Sequence, residues 1–250
     1  VFRRIWFRPR ILRNVRHVDP STSILGHPSA LPVYITATAL GRLGHPDGEK
    51  NLTRAAARTG LIQMIPTLSS CSFDEIVNER TEAGKPTQFF QLYVNSDRSV
   101  VREMLRKAEA ADIQALFITV DAPQLGRREQ DMRMHFDDAG SNVQSSSGDE
   151  VSRDEGAARA ISSFIDPGLD WDDAMWIKNQ VRMPVLLKGV QCWEDALKAY
   201  ELGFAGCVLS NHGGRQLDFS RSGIEVLELM RLDDRFVSLP VVVLTGLSLT

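Results

Sequence analysis

The residues with the clearest chemical potential are His212 and Arg215, which sit three positions apart in Ser210-Asn211-His212-Gly213-Gly214-Arg215-Gln216-Leu217-Asp218. An imidazole moves a proton near neutral pH. A guanidinium fork grips a carboxylate through two parallel hydrogen bonds. The two glycines between them allow a sharp bend and a close ligand approach. The apolar run Cys207-Val208-Leu209 reads as a buried strand leading into this turn. The combination suggests an acid–base centre for a small carboxylate anion; a polar turn in which His212 merely caps a neighbour is the alternative.

Other apolar runs also end in polar residues. Gln91 and Tyr93 share one face of a strand by alternation, as do Thr119 and Asp121. A carboxylate directly after a buried run must be paired or functional. Lys188 closes Leu186-Leu187-Lys188, where snorkelling is the alternative to a functional role. Tyr93 alone in a strand also fits a core position.

Stepping outward, short runs of strand length recur at Val33–Ala37, Leu61–Ile65, Phe89–Val94, Leu116–Val120, Val185–Leu187, Gly206–Leu209 and Val241–Leu244. Helical patterns lie between them. Val101, Met104, Leu105 and Ala108 follow the i, i+3, i+4, i+7 spacing, as do Trp193, Ala196, Leu197 and Tyr200. Ser72-Phe73-Asp74-Glu75 opens another helix with a capping box. Alternating elements with continuous apolar strands predict an α/β fold on a buried parallel sheet. Seven strands without a G-x-G-x-x-G turn point to a TIM (β/α)8-type barrel, whose chemistry sits at the carboxyl ends of its strands. The period fails from about 124 to 165, which predicts a long mobile loop on that face, either a lid or a surface insertion.

The nine residues from Ser210 to Asp218 resemble the active-site signature of the FMN-dependent 2-hydroxy acid dehydrogenase and oxidase family, above all its flavocytochrome-type, lactate-oxidising branch. The strand-end segments follow in the family's order. The resemblance implies an FMN cofactor and a small 2-hydroxy acid substrate. It makes His212 the base, Asp121 its hydrogen-bonded partner, and Arg215 the carboxylate clamp assisted by Tyr93. It places Thr38 and Ala39, in Thr36-Ala37-Thr38-Ala39, against the flavin, together with Thr67, Gln91 and Thr119. Lys188 would stabilise charge on the reduced ring, and Arg128 would stand near the substrate entrance. Pro66 departs from the pattern, because many relatives carry a flavin-bonding serine there. Nothing in these residues selects oxygen, a cytochrome or a quinone as electron acceptor.

The ends depart further. A site tyrosine of the family would precede Val1, and the chain, lacking an initiating methionine, reads as beginning inside a domain. Strand seven runs into Thr245-Gly246-Leu247-Ser248-Leu249-Thr250, where the family has a phosphate anchor and an eighth strand. The expectation is a single partial barrel domain over 1–250 with about seven strands and no eighth. A truncated, non-catalytic fragment lacking the flavin phosphate site is the competing reading. Its unpaired edges would favour homo-oligomers.

Composition narrows the classes. The 250 residues are 43% hydrophobic and 24% charged, as in a globular protein. A net charge of -3 gives no basic field for nucleic acid. Cys71, Cys192 and Cys207 form no C-x-x-C pair, so neither a metal site nor a disulfide framework is indicated. No run has the length of a membrane span, and a soluble cytoplasmic or mitochondrial location is the expectation. The arginines among residues 1–32 read as a solvated face of a polar lead-in. Gly44-His45-Pro46-Asp47-Gly48 superficially resembles a haem-ligand loop but has no partner histidine.

Overall fold

The computed structural model describes residues 9–126, 133 and 164–236. Arg128, the expected strand Val241–Leu244 and nearly all of the expected loop over 124–165 lie outside them.

Six strands form one parallel sheet in chain order: β3 (Tyr34–Ile35), β4 (Ile62–Ile65), β5 (Gln88–Leu92), β6 (Leu116–Thr119), β7 (Val185–Val190) and β8 (Gly206–Leu209). The helices are α1 (Glu49–Thr59), α2 (Phe73–Ala83), α3 (Arg98–Ala110), α4 (Trp171–Lys178), α5 (Trp193–Glu201) and α6 (Gly223–Met230). Sequential parallel pairing with a helix between neighbours is the β/α barrel pattern, and the sheet is an incomplete turn of that barrel. All six expected strands within the described residues are present, with bounds shifted by a few residues. The first is shorter than expected, and the fifth extends to Val190 through a bulge at Gly189.

Strand alternation divides the core in two. Ile62, Met64, Phe89, Phe117, Leu186 and Val208 pack together on the concave side. Ile65, Phe90, Leu92, Leu116, Ile118, Val185 and Leu187 pack outward with Val101, Leu105, Ile177 and Ala199 of the helices. Both faces are covered, so the strands read as mainly apolar runs rather than alternating ones, interrupted by buried Gln63, Gln88 and Gln91.

Helix starts follow their caps. Reciprocal capping boxes open α2 at Ser72 and Glu75, α4 at Asp170 and Asp173, and α6 at Ser222 and Glu225. The stripe expected in α5 is displaced: Ala196 and Ala199 are its buried residues, whereas Tyr200 is 70% exposed. Small residues there let the helix lie close to the sheet, and Trp193 stacks under the Arg235 guanidinium at 5.2 Å.

The polar lead-in holds an unexpected element. Strands β1 (Thr22–Ile24) and β2 (His27–Ser29) form an antiparallel hairpin across Leu25-Gly26, both with positive φ. Such a turn matches the twist of paired strands. Buried Ile24 joins the concave cluster next to residues at the strands' amino ends, so the hairpin plugs the face opposite the polar strand ends.

Candidate active site

The concave column changes character along the strands. Gln91 lies two residues beyond Phe89, Thr119 two beyond Phe117, and Lys188 two beyond Leu186. Period-two alternation keeps each pair on one side of the sheet. A polar layer therefore sits directly above the apolar one, at the carboxyl ends of β5, β6 and β7.

Hydrogen bonds knit this layer together. The Gln91 Nε2 donates to Thr119 Oγ1 at 2.8 Å, and its Oε1 accepts from Thr67 N at 3.2 Å. Thr67 Oγ1 donates to the Gln91 carbonyl at 2.6 Å and accepts from Tyr93 N at 2.9 Å. Gln91 is thereby fixed in orientation, and its second amide proton has no acceptor among the described residues. Ala39 belongs to a small apolar cluster with Leu68, Tyr93, Leu125 and Ile165, while Thr38 is exposed.

His212 stands at the centre. Its Nδ1 is 2.8 Å from Asp121 Oδ1, and its Nε2 is 3.2 Å from the Tyr93 hydroxyl. The Asp121 side chain has no solvent exposure, and that of His212 has 10%. A carboxylate at Nδ1 selects the tautomer that donates there, leaving the Nε2 lone pair facing Tyr93. The other carboxylate oxygen, Asp121 Oδ2, is buried without a hydrogen-bond partner among the described residues.

The turn carrying His212 is held open. His212, Gly213 and Gly214 all have positive φ, of 59, 70 and 73°. Glycine tolerates this conformation; a histidine there costs of order 1 kcal/mol and is retained by its surroundings. Ser210 Oγ accepts from His212 N, and Asn211 Oδ1 accepts from Gly214 N. Arg215 Nε donates back to the His212 carbonyl at 3.1 Å, which folds the guanidinium over Gly213. Its terminal nitrogens make no hydrogen bond among the described residues, and the side chain is exposed.

Lys188 is half-buried, with no hydrogen-bond partner among the described residues. Burial lowers its ammonium from the ordinary lysine value; Asp121 opposes this, and Arg215 adds to it. The geometry thus brings together His212, Asp121, Tyr93, Arg215 and Lys188, and sets Thr67, Gln91 and Thr119 beside them.

Two further residues shape this region, and neither was assigned a part from sequence. Gly189 has φ 109°, and a Cβ there would stand 2.3 Å from Asp121 Cγ. The Asp121 carboxylate can reach the imidazole only across a backbone without a side chain. A glycine inside a strand pattern signals such an approach or a bulge, and this one marks both. Glu49, fully buried, accepts from Gly41 N at 2.8 Å, Ser70 N at 3.0 Å and Cys71 N at 3.0 Å. One carboxylate thus ties the loops after β3 and β4 together. Its position beside Gly48 at a helix start gives no hint of those partners.

The protein-family model described as FMN-dependent dehydrogenase matches residues 1–246. The chain belongs to the FMN-dependent dehydrogenase family. Among curated proteins, L-lactate dehydrogenase (cytochrome) of Wickerhamomyces anomalus is 52% identical over 226 residues, covering 90% of this chain and 39% of that protein. Among solved structures, the recombinant flavin-binding domain of baker's yeast flavocytochrome b2 aligns with a TM-score of 0.78 at 46% identity, over 92% of this chain and 55% of that one. Mandelate oxidase with (S)-4-hydroxymandelic acid aligns at 0.79 and 34% identity, over 91% and 64%. This family member therefore spans about two fifths of the matched lactate dehydrogenase.

Among the described residues, no helix is long and apolar enough to cross a membrane, and no three His, Cys, Asp or Glu side chains cluster to hold a metal.

Proposed function

We propose that this chain binds FMN across the polar strand ends and oxidises a lactate-like L-2-hydroxy acid to the 2-oxo acid. The observation that carries the reading is the Asp121–His212–Tyr93 line, with Arg215 three residues from the imidazole. The names of its relatives point the same way, since they oxidise lactate or bind a hydroxymandelic acid.

The donor set fits a flavin. The free amide proton of Gln91, the Thr119 hydroxyl and the half-buried Lys188 ammonium lie on consecutive strands and suit the nitrogen- and oxygen-rich edge of a planar ring. Thr38, Ala39 and Thr67 would complete the same cradle from the loops after β3 and β4. FMN supplies the acceptor for two electrons, chemistry that no side chain performs.

The protein's part is binding, orientation and proton handling. Arg215 offers both terminal nitrogens to the substrate carboxylate, and the Tyr93 hydroxyl gives it a further bond. This holds the 2-carbon and its hydroxyl against His212 Nε2, which takes a proton. Asp121 keeps Nδ1 protonated and compensates the imidazolium charge. A positioned general base contributes about 10²–10⁴-fold in rate. Lys188 places a positive charge where electron density accumulates.

The test is spectroscopic. The purified chain, reconstituted with FMN, should lose its visible flavin absorbance when L-lactate is added without oxygen. A chain that holds flavin but stays coloured with L-lactate and other L-2-hydroxy acids refutes the reading.

The charge on Lys188 sets a pH dependence. Its protonated form is the useful one, and burial lowers its titration below the ordinary lysine range. Activity should therefore fall as pH rises through a value below that range. In Lys188→Arg, whose guanidinium stays charged, this alkaline limb should disappear from the rate–pH profile.

A further inference from the structure

We propose that Gln216 is a positioning residue that fixes the distance between His212 and Asp121 by stapling their two loops together; the proposal rests on the function argued above. Its side chain reaches from the His212 turn to the segment following β6. The Nε2 donates to the carbonyls of Asp121 at 3.2 Å and Gln124 at 2.7 Å, and the Oε1 accepts from Gly126 N at 2.9 Å. Both amide protons and the amide oxygen are engaged, so the group has one orientation. One of its acceptors is the backbone of Asp121 itself.

The staple is matched by close contact. A Cβ at Gly126 would stand 2.2 Å from the Arg215 carbonyl oxygen, so the two loops touch backbone to backbone beside Gln216. The need for such a clamp follows from the turn. Three consecutive positive-φ residues, one of them a histidine, relax unless their surroundings oppose it. The bonds to Ser210 and Asn211 are internal to the turn and fix its shape. Gln216 fixes where that shape stands relative to β6, and so where the imidazole stands relative to its carboxylate. A misplacement of about 1 Å costs on the order of 10²-fold in a positioned reaction.

Gln216→Leu removes all three bonds at nearly constant size. Gln216→Glu keeps the shape but turns an oxygen toward two carbonyls, and serves as well if the leucine variant fails to fold. Each is compared with the unaltered chain, loaded with FMN, by two readouts. The first is the far-downfield proton resonance of the His212 Nδ1–H held by Asp121, assigned by its loss in Asp121→Asn, which needs no turnover. The second is steady-state kinetics with L-lactate. The expected result is loss or an upfield shift of the resonance, with kcat reduced about tenfold or more and KM within about threefold. A resonance that persists, or a kcat within about twofold of the parent, overturns the proposal, even if the melting temperature falls, because a purely structural tether would lower stability alone. If the parent chain does not oxidise L-lactate, the functional reading fails, while the resonance still decides whether Gln216 sets the pair.

Discussion

A His212→Ala chain should bind FMN and keep its yellow colour when L-lactate is added without oxygen. The substitution removes the proposed proton acceptor and leaves the polar layer of Thr67, Gln91 and Thr119 intact, since that layer is bonded within itself. Reduction should slow by about 10²–10⁴-fold, the contribution of a positioned base. Backbone effects should be small. Position 212 has φ 59°, and alanine bears the same left-handed strain as histidine. His212→Gly would relieve that strain and is the poorer control. Stopped-flow absorbance of the bound flavin gives the rate, and a separate titration gives FMN affinity. Bleaching at the parent rate would remove His212 from the mechanism and leave the Asp121 pair a structural feature.

The second large effect is expected at a residue that has no side chain with which to touch substrate. Gly189→Ala places a methyl group 2.3 Å from Asp121 Cγ on a backbone at φ 109°. Neither atom has room to yield, because the Asp121 side chain is fully enclosed. The carboxylate must leave the imidazole, and kcat should fall about 10²-fold through misplacement. Stability should fall by about 1–3 kcal/mol from the strained backbone. The mechanism of the loss can be isolated. If the methyl acts by displacing Asp121, Gly189→Ala should add little to an Asp121→Asn chain, because both remove one interaction. Additive losses in that double variant, or a Gly189→Ala chain with parental kcat, would show that the close approach does not control the pair.

Much of this architecture was legible in the sequence because barrel strands carry a simple signal. Strands covered on both sides are mainly apolar, so β4 to β8 stood out, and alternation placed Gln91 with Tyr93 and Thr119 with Asp121 on shared faces. The spacing of His212 and Arg215 directed attention to a turn that meets Asp121 and Tyr93 in three dimensions. Other features depend on partners that local sequence does not name. The β1–β2 hairpin has three residues per strand, and only Ile24 and Ser29 turn inward, too few for a period. Glu49 looks like any acidic residue in a first helical turn, where favourable interaction with the dipole is explanation enough. Its three amide partners come from two loops and emerge only in three dimensions. In α5 the apolar spacing included Tyr200, yet the helix turns its alanines inward, since close packing against β7 and β8 outweighed side-chain size.

The Asp121–His212 bond joins residues 91 positions apart, and the Tyr93–His212 contact spans 119. Contacts this distant are completed only when the intervening β/α units have docked in order, because loop closure grows costlier with length. Secondary structure, being local, forms ahead of them. Recovery of the proposed bleaching of bound flavin by L-lactate after dilution from denaturant should thus trail recovery of helix content, and would gauge whole-chain assembly.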